Sequence, residues 1–212
     1  MPLYKTINYN PTTEILVWKI TEPLAELSME VTLNPKNQER FNGMKSELHQ
    51  RAFLSVRKLL QIKGYTDFDL DYDQFGKPHL KDGKHISISH SHELATLIIS
   101  NEITGIDIEM QREKIIKIAE KFADKESEFL DIENQDYIRK LTVIWGVKEA
   151  IFKIRNEVGI SFKEHIHVHP FEIEDQSGFA SLQFQNKLIQ FKCHFIEIDN
   201  FTLVYAFQQK QQ

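Results

Sequence analysis

The chain has 212 residues and only one cysteine, Cys193, so no internal disulfide can form and a reducing compartment is expected. No stretch approaches 18 consecutive apolar residues, which excludes a membrane-spanning helix. The start, Met1-Pro2-Leu3-Tyr4-Lys5-Thr6, lacks the apolar run of a signal peptide, and a cytoplasmic protein is the expectation. Excess positive charge is missing as well. With 26 Lys and Arg against 31 Asp and Glu the net charge is −5, which argues against a general nucleic-acid binder. The 8 glycines and 6 prolines never gather into a Pro/Gly/Ser-rich connector, so no flexible linker is expected. The only biased segment is Gln208–Gln212, read as a frayed tail.

What is there is ordinary for a soluble globular protein: 41% hydrophobic and 27% charged residues, enough for one large core or two small ones. Apolar periodicity predicts helices over about 36–62, 113–130 and 134–156. The first would present Leu48, Ala52, Val56, Leu59 and Leu60, and the second Ile115, Ile116, Ala119, Phe122 and Ala123. Strands are predicted at 14–20, 68–74, 85–90, 94–100, 104–109, 166–173, 179–185, 188–197 and 201–207. A coarse echo links Ala95–Ser100 with Thr202–Phe207, each closing a run of strands preceded by a long helix.

Two segments carry chemistry. In Gly105-Ile106-Asp107-Ile108-Glu109 apolar and acidic residues alternate, so on a strand Ile106 and Ile108 face a core while Asp107 and Glu109 share the other face. Forty residues past Glu109 stands Glu149, within Trp145-Gly146-Val147-Lys148-Glu149-Ala150-Ile151-Phe152-Lys153. There Leu141, Trp145 and Phe152 form a helical stripe that Glu149 interrupts. A carboxylate inside a buried stripe is costly unless paired or coordinated. Three carboxylates from a strand and a helix suit a hard divalent cation, and Lys148 and Lys153 beside them suit a phosphate. Pattern alone leaves both segments open to a blander reading, as a solvated strand face and an exposed charge pair.

Other constellations are ambiguous by themselves. Lys36, Arg40, Lys45, Arg51, Arg57, Lys58 and Lys63 crowd one stretch, as either a solvated helix face or a polyphosphate site. Gly76-Lys77-Pro78 reads as a turn, and His90 in Ile86-Ser87-Ile88-Ser89-His90-Ser91-His92 as structural. His165, His167 and His169 alternate along a predicted strand; with no nearby cysteine or fourth ligand they read as a solvated face rather than a zinc site.

Gly-Ile-Asp-Ile-Glu followed by Trp-x-x-Lys-Glu-Ala-x-x-Lys resembles the paired signature of the 4′-phosphopantetheinyl transferases, of the longer, surfactin-synthetase-activating type. Phe75-Gly76-Lys77-Pro78-His79-Leu80, the Ser89-His90 segment and a helix carrying Lys45 and Arg51 agree with it, in family order from about residue 40 to 160. The resemblance implies an α+β fold of two similar halves packed as a pseudo-dimer within one chain, residues 1–103 and 104–212, with the active site between them. It implies a metal site at Asp107, Glu109 and Glu149, holding magnesium or alternatively manganese. It implies that Glu149 and Lys153 are catalytic, and that Arg51, Lys77, Ser89, His90 and Lys148 contact coenzyme A. His92 departs from the glycine often found at its place. A further family glutamate aligns with Ser127, flanked by Glu126 and Glu128, and the alignment does not choose among them.

The activity so implied is magnesium-dependent transfer of the phosphopantetheine arm of coenzyme A to a serine of an apo acyl or peptidyl carrier protein, releasing 3′,5′-ADP. The protein would be a cytoplasmic monomer engaging neither nucleic acid nor membrane. Two other classes use the same residues: a magnesium-dependent pyrophosphatase or phosphodiesterase on similar nucleotides, and a non-catalytic module binding coenzyme A or a carrier.

Overall fold

Alternating apolar side chains build two antiparallel sheets here, and each carries one long helix. The computed structural model describes residues 3–210, which form two compact units divided between Asn101 and Glu102. The fold class is α+β.

In the first unit β1 (Leu3–Asn10), β2 (Thr13–Lys19), β5 (His85–Ser91) and β6 (Leu94–Ser100) make a sheet of order β1-β2-β6-β5, while β3 (Leu70–Tyr72) and β4 (Pro78–Leu80) pair separately. The expected first helix is divided into α2 (Pro35–Asn42) and α3 (Glu47–Ile62), after a short α1 (Leu24–Glu30). The division falls at Gly43, and Ser46 caps α3 by accepting the His49 amide at 3.5 Å. From α3, Ala52, Val56, Leu59 and Leu60 pack on Leu16, Trp18, Leu97 and Ile99 of the sheet. Its Phe53 and Leu54 pack with Leu27 and Val31.

The basic stretch is largely consumed inside this unit. Arg57 is buried with Asp67, Nε to Oδ1 at 2.8 Å, and its guanidinium lies 3.4 Å from the Phe53 ring centroid. Lys58 pairs with Glu30 and Lys63 with Glu14, and Arg40 stacks over Tyr72. A polyphosphate site spread over the whole cluster is therefore not what the fold builds.

In the second unit β7 (Thr104–Met110), β8 (Ile166–Val168), β9 (Ser177–Phe184), β10 (Lys187–Ile198) and β11 (Phe201–Gln208) form an antiparallel sheet of order β7-β11-β10-β9-β8. Helix α4 (Tyr137–Arg155) lies on β7 and β11, and ends at Asn156, whose φ of 50° is a left-handed cap. Glycines set how close that packing is. A Cβ on Gly105 would stand 2.1 Å from the Ala150 carbonyl oxygen, and one on Gly146 would stand 2.7 Å from Val204 Cγ2. Two expectations fail here. Residues 113–130 form 3₁₀ turns, Glu113–Lys121 and Lys125–Glu128, not an α-helix. Ile115 and Ile118 sit three residues apart and so serve a three-residue turn as well as an α-helical one. The strand expected at 166–173 stops at Val168, because Pro170 has no N–H to extend the ladder. Among the described residues no helix is long and apolar enough to cross a membrane.

Candidate active site

The period of two along β7 decides the site. Ile106 and Ile108 are fully buried on one face, and Gly105, Asp107 and Glu109 face α4 on the other. Gly105 lies against Ala150, Asp107 meets Lys153, and the Trp145 indole Nε1 donates to Glu109 Oε1 at 3.3 Å. The α4 face that carries Trp145, Glu149 and Phe152 is half-buried, while Val147, Ile151 and Ile154 form the deep core. Trp145 and Phe152 close around Phe162, with ring centroids at 5.5 and 5.6 Å. Of the stripe read in the sequence, Leu141 is buried in the core while Trp145 and Phe152 lie at its rim, and a carboxylate beside these two costs less than one in the interior.

Glu149 remains strongly perturbed. Burial, followed by the negative charges of Asp107 and Glu109, pushes its carboxyl up to about 7, and only Lys153 pulls it back. Lys153 Nζ donates to Asp107 Oδ1 at 2.7 Å and to the Ile106 carbonyl at 2.9 Å. Among the described residues no three His, Cys, Asp or Glu side chains are gathered closely enough to hold a metal as they stand. The donor chemistry nevertheless fits a hard divalent cation. Asp107 and Glu109 both repel the charge of Glu149 across a helix–strand contact, and that repulsion is what such an ion relieves.

Lys148 requires a correction. Its ammonium is 0% exposed, pairs with the equally buried Glu126 at 2.8 Å, and donates to the carbonyls of Phe122, Phe162 and Ile166. Four acceptors surround three protons, so Lys148 holds 3₁₀ turn, α5 (Phe162–His165) and β8 to α4 and offers nothing to a phosphate. The same pair places Glu126, which also accepts the Val168 and Asp124 amides. Ser127 donates to the Asp124 carbonyl and Glu128 is exposed. No sequence signal joins Glu126 to Lys148, 22 residues apart on different elements.

In the first unit Arg51 donates Nε to the Glu22 carbonyl at 2.9 Å and an Nη to the Ile20 carbonyl at 3.2 Å, so half its fork anchors the segment after β2. Lys77 is half-buried in the β3–β4 turn, where Asp73 accepts its amide and Gly76 has a φ of 83°. On β5, Ser89 is buried and His90 exposed, its ring 5.6 Å from that of His49 on α3. His92 adopts a φ of 51° in the tight β5–β6 turn, the left-handed conformation that a glycine takes without strain. The three alternating histidines do not share a strand: His165 closes α5, where it accepts the Ser161 amide, and only His167 lies within β8.

Residues 103–206 match the family model of the 4′-phosphopantetheinyl transferase superfamily, a range that contains Asp107, Glu109, Glu149 and Lys153. The chain is also 31% identical over 140 residues to the 4′-phosphopantetheinyl transferase gsp of Aneurinibacillus migulanus, covering 63% of this chain and 56% of that relative. It therefore spans little more than half the length of the curated relative it matches.

Proposed function

We propose, for a chain that belongs through residues 103–206 to the 4′-phosphopantetheinyl transferase superfamily, that it moves the phosphopantetheine arm of coenzyme A onto a serine of an apo carrier protein, releasing 3′,5′-ADP. The observation that carries this reading is the crowding of Glu149 by Asp107 and Glu109, with Lys153 as the nearby cation, inside the segment that matches the family. Asp107, Glu109 and Glu149 would hold magnesium, which supplies charge neutralisation for the pyrophosphate oxygens. The chain's own residues do the rest. Glu149, the carboxylate on α4 that faces the site, is assigned the serine proton, a contribution of typically ~10²–10⁴-fold. Lys153 lies one turn further along the same helix face and neutralises charge on the transferred phosphoryl group. In the first unit Lys77, Ser89 and His90 are assigned to the nucleotide phosphates, with Arg51 as a partial fork.

The test is intact mass spectrometry of a panel of apo carriers incubated with coenzyme A and magnesium. A carrier should gain one phosphopantetheine mass, and the gain should vanish in chelator. Unchanged carriers with coenzyme A hydrolysed would point instead to a pyrophosphatase.

A further inference from the structure

We propose that the Lys153 ammonium is the resident counter-ion of the carboxylate site, competing with a divalent cation for Asp107, so that cation entry and release of Lys153 are one event. The proposal rests on the reading of Asp107, Glu109 and Glu149 as cation ligands. It goes beyond that reading by naming what occupies the site's charge balance before a cation arrives.

Three observations lead to it. First, the contact is direct: Lys153 Nζ is 2.7 Å from Asp107 Oδ1, with the Ile106 carbonyl at 2.9 Å as a second anchor. Secondly, the two partners differ in depth. The Asp107 side chain is 4% exposed and the Lys153 side chain 27%, so the carboxylate is fixed while the ammonium, on its four-carbon stem, has a way out. Thirdly, the ammonium and a cation act on the same negative charge. Asp107 and Glu109 repel the charge of Glu149 while Lys153 attracts it, so the ammonium offsets negative charge that a divalent cation would offset too. An ammonium and a divalent ion repel each other strongly when both approach one carboxylate oxygen. Cation binding therefore weakens the Lys153–Asp107 contact, and by linkage that contact weakens cation binding equally. Once released, Lys153 becomes available to an anionic ligand. A pyrophosphate-bearing nucleotide that captures the ammonium should in turn tighten the cation, beyond any direct ligation of the ion by phosphate.

Manganese(II) is the probe, with free ion measured by electron paramagnetic resonance during titration of the whole chain without nucleotide. K153M, neutral and of similar length, should bind manganese roughly 5- to 150-fold more tightly than wild type. K153R keeps the charge and should stay close to wild type, and K153Q serves as a second neutral variant if K153M does not fold. Manganese should also raise the melting temperature of K153M more than that of wild type. Unchanged or weaker binding by both neutral variants overturns the proposal, as does equal tightening in K153R. If wild type binds manganese but the neutral variants gain nothing, this inference alone fails. If no form binds manganese and carriers are modified in chelator, the cation-site reading fails with it.

Discussion

At the residue scale three charged groups of the second unit, Lys148, Glu126 and Glu149, lie where burial opposes their charge. Lys148 and Glu126 lie together without solvent, and burial pushes the Lys148 ammonium below its usual range while Glu126 holds it charged. For Glu126 burial works the other way, yet Lys148 and two backbone amides keep the carboxyl below its ordinary value. Removing one partner leaves an uncompensated buried charge, so K148M should lose about 3–5 kcal/mol of stability in urea unfolding. E126Q added to K148M removes the stranded charge and should recover part of the loss; a double variant no better than the single one would mean that the carbonyl contacts matter more than the pair. Glu149 is the third of these groups. Its carboxyl titrates near 7 in the folded protein, above the unfolded carboxylate range, so the folded state holds its proton more tightly. Its contribution is therefore most favourable below the unfolded value and is lost as pH rises towards 7, by up to about 3 kcal/mol. In chelator, melting temperature should fall between pH 5 and pH 7 for wild type, and E149Q should remove that part of the slope.

At the element scale the site depends on how closely α4 approaches β7. Gly105 permits it, since any side chain there meets the backbone carbonyl of Ala150 rather than a movable side-chain tip. G105A should lift α4 from the strand, cost about 1–3 kcal/mol or more, and reduce turnover through displacement of Glu149 relative to Asp107. Normal stability and turnover in G105A would show that the helix–strand distance is not set there. The apposition of these elements follows from patterns local to each: a period of two in β7, a helical period in α4, and small residues where they touch. What the sequence hid depended on longer-range context. β1 reads poorly as a strand because, at the sheet edge, most of its residues are exposed or half-buried and no apolar alternation is needed. The break at Gly43–Ser46 had a signal, a glycine followed by an N-capping serine, which a continuous apolar period on both sides obscured. The 3₁₀ turns at 113–128 had none, because their apolar positions fit either helical period. Lys148 looked like a ligand for the same reason that Glu126 looked unassigned. Only the fold brings them together.

At the scale of the whole molecule, a chain of net charge −5 must meet a carrier that, under the proposed function, is itself acidic around its serine. Long-range repulsion then opposes encounter, and a local basic surface has to overcome it. The 3₁₀ turns after β7 are suited to this. Lys114, Lys117, Lys121 and Lys125 are exposed, with Ile116 beside them at 38% exposure. Phe122, by contrast, belongs to the core, edge-on to Trp145 with centroids 5.1 Å apart, and contributes nothing to that surface. The segment is anchored from within by Phe122 and the Lys148–Glu126 pair, so its lysines can be changed without disturbing what lies beneath. Reversing Lys117 and Lys121 to glutamate should slow association with an acidic carrier by roughly tenfold or more at low salt, with the difference shrinking as ionic strength rises past the range where the Debye length is ~10 Å. Affinity for coenzyme A and melting temperature should stay near those of wild type. Stopped-flow association across a salt series measures this directly. Equal losses for carrier and coenzyme A, or a rate unchanged at every ionic strength, would place the docking surface elsewhere on the molecule.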